Sequence, residues 1–303
     1  MNPKPTFPTF KPLELKDRDE IHPRLWTYQP EISELTFANF YIWRDYYDLK
    51  WTIADDCLVF LAEREDDYFA FPPVGSDSRV ELVEQLLTWM REEKGIENTE
   101  IRRADQRLVD ELAESDLFDI EPTRDHFDYV YRSQDLGTLE GDAYRRKRNQ
   151  VSQFDYYYEY RYEPISDSLL EQCLRLAEVW CEQRQCEDDI SLSHEFSGIE
   201  DTLNHFHELE ISGGALIIDD RVRAFALGER LSEDTAVVHI EKANPDYRNI
   251  YPAMTSSYSK ERWMHEVTFI NREQDLGISG LRRAKKSYNP DHLVKKYTIS
   301  LSK

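Results

Sequence analysis

Apolar residues recur three and four apart over Val80 to Lys94, at Leu82, Val83, Leu86, Leu87 and Met90, which is the spacing of one helix face. The same period predicts helices over Leu13 to Trp26, Asp105 to Ala113, Ile165 to Gln185, Gly198 to Leu209, Tyr251 to Met264 and Ile278 to Lys286. Short apolar or alternating runs predict strands over Leu49 to Ile53, Cys57 to Ala62, Tyr68 to Phe71, Phe127 to Tyr131, Thr235 to Glu241, Glu266 to Ile270 and Leu293 to Leu301. Gly214 to Ile218 and Val222 to Leu231 flank Asp219-Asp220, which predicts a hairpin with the acidic pair at its turn. Pro72-Pro73-Val74-Gly75 stops the third strand, and the proline-rich first ten residues read as an extended lead-in. Phe37 to Tyr47 is unusually aromatic. Positions 37, 40, 41 and 44 share a helical face, so core packing is the simpler reading and an aromatic ligand wall the other.

Helices, an antiparallel meander, a helix and further strand occur in each half. The pattern predicts an α+β chain, with a first domain over 1–138 and a second over 139–303. A length of 303 residues fits two domains. With 40% hydrophobic and 13% aromatic residues the chain can bury a core, which excludes global disorder. The net charge of −22 argues against a DNA binder that neutralises phosphates. Residues 51–125 concentrate the acid, with 21 acidic and 8 basic side chains. No apolar run is long enough for a transmembrane segment, and Met1-Asn2-Pro3-Lys4-Pro5 has no signal-peptide core. The four cysteines make no disulfide framework; Cys181 and Cys186, five apart, are not a usual pair. A reducing cytoplasm is the simplest compartment.

Common nucleotide, P-loop, zinc-protease and nucleophile-elbow motifs are absent. His205 and His207 would point apart on a helix, so they make no metal site, and His194 reads as a surface or capping residue. Four stretches carry chemistry. Arg145-Arg146-Lys147-Arg148-Asn149 is basic in an acidic chain, and Arg282, Arg283, Lys285, Lys286, Lys295, Lys296 and Lys303 crowd the C-terminal end. Two such clusters focus anions, unless they pair with the acidic surplus. In the strand ending Val238-His239-Ile240-Glu241, His239 and Glu241 fall on one face, as an imidazole and a carboxylate placed for acid–base work or for holding an amine. Asn271-Arg272-Glu273-Gln274-Asp275-Leu276-Gly277 links a strand to a helix. There Glu273 can hold an ammonium, Arg272 an anion, and Asn271 can orient either; a structural hydrogen-bonded loop is the alternative.

These segments carry a resemblance. Gly141 to Asn149 with Phe154, Val238 to Asn244, and Phe269 to Gly277 running on through Gly280-Leu281-Arg282, Lys285, Ser287-Tyr288 and Pro290 to Lys295-Lys296-Tyr297 resemble the family related to the C-terminal domain of phosphatidylglycerol lysyltransferase. Phe37 to Arg44 resembles it too, so the likeness spans nearly the whole chain. The resemblance implies two GNAT-like acyltransferase domains, each a mostly antiparallel mixed sheet flanked by helices. It also implies transfer of an aminoacyl or acyl group to a hydroxyl or amine. Glu241, Glu273, His239 and Asn271 are the catalytic candidates, and Lys147, Arg148, Asn149, Arg272, Arg282 and Lys285 the anion-binding ones. No tightly bound cofactor or metal is expected; aminoacyl-tRNA or acyl-CoA would be the co-substrate, or an anionic small molecule the partner. A CoA site would want glycines after the central strand, and Asn244 to Ile250 has none. CoA-dependent N-acetylation and a non-catalytic binding or scaffold role remain the alternatives. If a donor site exists, the two basic clusters should converge near Asn271-Arg272-Glu273 at a cleft.

Overall fold

A computed structural model of the chain describes residues 4–64, 67–75 and 78–302. Met1 to Pro3 of the lead-in and Lys303 of the basic end lie outside them, as do residues 65–66 of one acidic turn. Strands run in the order β1 (Lys11–Pro12), β2 (Lys50–Ala54), β3 (Cys57–Arg64), β4 (Asp67–Ala70), β5 (Ile101–Ala104), β6 (Phe118–Pro122), β7 (Asp128–Arg132), β8 (Arg161–Pro164), β9 (Ser212–Ile218), β10 (Arg221–Arg230), β11 (Thr235–Ala243), β12 (Phe269–Asn271), β13 (His292–Val294) and β14 (Tyr297–Leu301). They form two seven-stranded sheets, ordered β1-β2-β3-β4-β5-β14-β6 and β13-β7-β12-β11-β10-β9-β8. Each is mostly antiparallel, and β4 with β5 in the first and β11 with β12 in the second run parallel.

The chain divides into two compact units, Met1–Asp128 with Val294–Lys303, and Tyr129–Leu293. The expected strand 293–301 is therefore two strands in two sheets. Its latter part returns to the first sheet, so residues 294–303 fall in the first unit and 129–138 in the second, against the expected division after residue 138.

In the first unit the helix Val80–Lys94 matches its predicted span and ends at Gly95, whose φ of 69° suits a residue without a Cβ. It lays Leu86, Leu87 and Met90 on Val59, Leu61, Ile101 and Ile299 of the sheet. The aromatic helix Phe37–Tyr47 starts at Thr36, whose side chain accepts from the Asn39 N–H. Its run from Phe37 to Ile42 is buried, and Phe40 stacks on Phe60 with ring centroids 3.9 Å apart, so the core reading holds for that run, while Tyr46 and Tyr47 line a cavity of the first unit. The β2–β3 and β9–β10 turns are Asp55-Asp56 and Asp219-Asp220, and all four residues have positive φ. That is the conformation a two-residue hairpin demands, and Asp tolerates it.

In the second unit one sheet face packs against the helices Arg145–Tyr157 and Ile250–Tyr258. Phe154, Ala253, Met254 and Tyr258 meet Leu216, Ala224, Ala226 and Ile270 in that core. The first of these helices carries the basic run, and with Lys147 and Phe154 its only buried residues it has no apolar period that predicts it. The second passes into a π-helical turn, Ser259–Trp263. The helix expected over 198–209 is Ile190–Asn204, because Asp189 accepts from the Ser191 and Leu192 N–H groups and starts it earlier. Cys181 and Cys186 correct their reading as an unpaired couple: they form a disulfide. Gln185, at φ 53°, turns the chain back at the end of the helix Asp167–Arg184 and brings their Cα atoms within 5.2 Å. Cys57 and Cys173 are buried. Among the described residues, no helix is long and apolar enough to cross a membrane.

Candidate functional site

The parallel register of β11 and β12 pairs Val237 with Asn271. That pairing brings the chain that follows Asn271 up beside His239, which is why two distant segments supply one site. The chain after β12 leaves the strand at once. Glu273 has φ 57°, its N–H donates to Asn271 Oδ1 at 2.8 Å, and the Arg272 N–H donates to the Tyr129 carbonyl at 2.9 Å. Asn271 is fully buried and shapes this turn.

His239 lies between two carboxylates. Its Nδ1 is 2.8 Å from Glu273 Oε1 and its Nε2 3.1 Å from Glu229 Oε1. Burial favours the neutral ring, but hydrogen bonds and charge from Glu229 and Glu273 outweigh it and raise the imidazole to about 9. The ring is therefore an imidazolium at neutral pH, which bridges its carboxylates rather than serving as a free base.

Glu241, two residues on, accepts from Thr255 Oγ1 at 3.0 Å and from Arg272 Nη2 at 3.0 Å. The Arg272 guanidinium lies 5.0 Å from the Tyr288 ring centroid and the Lys147 ammonium 3.8 Å from it. Burial first, then the nearby Arg272 and Arg146 charges, push the Lys147 ammonium down to about 8. Lys147 is only 9% exposed. The helix Arg145–Tyr157 thus turns one cation of its basic run inward while Arg145, Arg146 and Asn149 stay exposed.

Other candidates hold the frame. Arg148 donates to the Leu139 and Gly141 carbonyls, at 2.5 and 3.0 Å. Lys285 donates to the Arg272 carbonyl. Arg282 grips Asp275 with two bonds, of 2.9 and 2.7 Å, while the Tyr129 hydroxyl donates to the same carboxylate at 2.6 Å. Burial alone would raise Asp275, but the Arg282 and Tyr129 bonds hold it far below the usual carboxylate range. The two basic clusters therefore meet through Lys147 and Lys285 around Arg272. Lys296 is elsewhere, buried in the first unit with its ammonium 2.6 Å from Asp128 Oδ1 and 2.5 Å from Glu34 Oε2.

Sequence reading missed Glu229, Thr255 and Tyr288 as site residues. Tyr288 stood in the resembling segment without a role, and nothing local distinguishes Glu229 or Thr255. The assembled group offers a paired carboxylate, a guanidinium with further N–H donors and an amine that is partly neutral near pH 8. Such a set can hold an ammonium, take up a proton and stabilise an oxyanion.

The family profile described as phosphatidylglycerol lysyltransferase, C-terminal, matches residues 27–300. An uncharacterised protein of Mycoplasmoides gallisepticum is 21% identical over 175 residues, 57% of this chain and 56% of that protein; the chain thus spans just over half the length of this curated relative. A conserved protein of unknown function from Bacteroides thetaiotaomicron superposes with a TM-score of 0.89 at 30% identity, over 97% of this chain and 99% of that one. The C-terminal DUF2156 domain of a candidate lysylphosphatidylglycerol synthetase from Agrobacterium fabrum gives 0.69 at 12% identity, over 96% and 92%. A tandem GNAT protein from the clavulanic acid biosynthesis pathway gives 0.52 at 9% identity, over 97% and 98%. The architecture is therefore two GNAT-like domains in tandem.

Proposed function

The chain belongs to the phosphatidylglycerol lysyltransferase C-terminal family, and from that premise we propose that it is an acyltransferase of the aminoacyl-transfer type. The observation that carries this reading is Lys147, pushed down to about 8 beside the Arg272–Glu241 pair. In the proposed reaction the acceptor hydroxyl or amine attacks the carbonyl carbon of an aminoacyl ester. Lys147 in its neutral form takes the acceptor's proton. The remaining Arg272 N–H groups stabilise the oxyanion, Glu241 holds the donor's ammonium, and the ester oxygen leaves with the proton. Glu273 and His239 position Arg272 and its loop from below. Asn271, Lys285 and Arg282 keep that loop in shape. Transfer from an activated ester needs proximity and electrostatic stabilisation more than a covalent intermediate.

The test is a transfer assay with aminoacyl-tRNA and, separately, acyl-CoA thioesters, with product identified by mass spectrometry. Lys147→Met and Glu241→Gln should each lower turnover by about 10²-fold or more with the fold retained. The wild-type rate should climb as pH rises through about 8, where Lys147 loses its proton. A rate that is flat across that interval, or unchanged turnover in Lys147→Met, would reject the base role. Turnover with thioesters and none with aminoacyl-tRNA would reject the donor class.

A further inference from the structure

The first unit carries a polar cavity of its own, about 350 Å³ in volume, whose lining includes Arg102, Arg103, Thr123, His126 and Thr298 together with the Glu100 carboxylate. That volume is at the lower end of small-molecule sites. Four features make it more than a surface dent.

Arg103 sits in β5 with φ 61°, a left-handed conformation that costs a bulky residue on the order of 1 kcal/mol. The strain places a buried guanidinium at the cavity, with its Nε 3.1 Å from Glu34 Oε1 and its Nη2 3.3 Å from the Tyr47 hydroxyl. Arg102, next in the chain, lies 4.6 Å over the Phe69 ring and pairs with Glu100 at 2.7 Å. The Thr123 and Thr298 hydroxyls are 3.0 Å apart on the lining. Finally, Nδ1 of His126 is buried and has no hydrogen-bond partner among the described residues. Burial first, then the charges of Arg103 and Lys296, push this imidazole down to about 4, so the ring is neutral and surrounded by a net positive field. A neutral ring with Nδ1–H can donate to an anion without itself adding charge. Structural pairing accounts for the carboxylates that meet the two arginines, but it leaves the His126 nitrogen unanswered, and a buried unsatisfied donor or acceptor is costly.

We propose that this cavity binds a small organic oxyanion, a carboxylate or a phosphate monoester, held by Arg102, Arg103, the Thr123–Thr298 hydroxyls and Nδ1 of His126. Guanidinium groups backed by aromatic rings are pre-organised for such oxyanions. The cavity is larger than a bare phosphate requires, so the ligand carries an organic body. The proposal stands apart from the aminoacyl-transfer reading, since every residue it uses belongs to the first unit.

The test titrates the full chain at low salt with phenyl phosphate and with benzoate. Binding is followed by calorimetry and by the nitrogen resonances of His126. A saturable shift at His126 is expected with a dissociation constant below about 1 mM for at least one probe. Tighter binding of phenyl phosphate assigns the phosphate monoester, and tighter binding of benzoate the carboxylate. Arg102→Gln, at a partly exposed position, should weaken binding about tenfold, as expected for loss of a charge-assisted bond. His126→Phe should abolish binding with the unfolding midpoint retained, and Lys147→Met should leave it unchanged. No saturable response to either probe, or binding unaltered by both Arg102→Gln and His126→Phe in folded protein, would overturn the proposal.

Discussion

At the scale of single residues, His239 and Lys147 carry opposite pH dependences. A free imidazole titrates near 6.5, and His239 in the folded protein at about 9. Its contribution to stability is thus fully present below about 6.5 and is lost as pH rises through about 9. Lys147 is lowered to about 8 from an unfolded value near 10.4, so it costs stability below 8 and that cost is relieved as pH rises from there. Between pH 6.5 and 8 the His239 effect stands alone of the two, and a single linked proton changes stability by up to roughly 1.4 kcal/mol per pH unit. The second unit should accordingly lose about 2 kcal/mol across that interval. Glu273→Gln, which removes one of the two carboxylates beside the ring, should flatten the loss and lower the His239 midpoint in a proton-NMR titration. An unshifted midpoint in that variant would show that the 2.8 Å contact with Glu273 does not set the charge of the ring.

At the scale of elements, the β10–β11 pairing shows how closely backbone geometry supports the site. The register slips between Leu227 and Gly228, and a Cβ at 228 would stand 2.3 Å from the Val237 carbonyl oxygen. Glu229, which meets His239, is the next residue along this strand. Gly228→Ala should therefore destabilise the second unit by about 1–3 kcal/mol and weaken the His239–Glu229 bond. Thermal unfolding and the same imidazole titration check both effects; an unmoved melting transition would mean that β11 yields without cost. Elements of this kind were partly legible in the sequence. The helix Val80–Lys94, the aspartate hairpins and the His239–Glu241 strand each announce themselves by period or turn chemistry. The helix Arg145–Tyr157 does not, because four consecutive cations mask its sparse apolar face, of which Phe154 is the buried anchor. The site was legible as segments and not as contacts. Nothing local to Thr255, on the helix Ile250–Tyr258, or to Glu229, on β10, reveals that they will meet Glu241 and His239 of β11, since helix-on-sheet packing and strand register are tertiary facts.

At the scale of the whole molecule, the chain crosses its own domain order. β14 lies between β5 and β6, so the last residues complete a sheet begun by the first hundred. Ile299 at its centre is fully buried in the first core. Lys296, just before it, is fully buried and faces Asp128 and Glu34, both also buried. Removing Lys296 takes the cation from Asp128 and leaves Glu34 with Arg103 alone, and breaking a buried pair in this way costs on the order of 3–5 kcal/mol. Removing β14 as well strips β5 and β6 of their shared neighbour. That loss is comparable to the whole stability of an ordinary domain. A fragment ending at residue 138 contains every other strand of the first sheet, and a boundary drawn from sequence would suggest that it folds. It should instead be unfolded or molten, with poor dispersion of amide resonances. A peptide covering residues 291–302, added in excess, should restore dispersion by supplying both β14 and the buried ammonium. The same peptide with Lys296→Met should restore it less well or not at all. A fragment 1–138 that is cooperative and well dispersed by itself would show that the first unit does not depend on the returning strand.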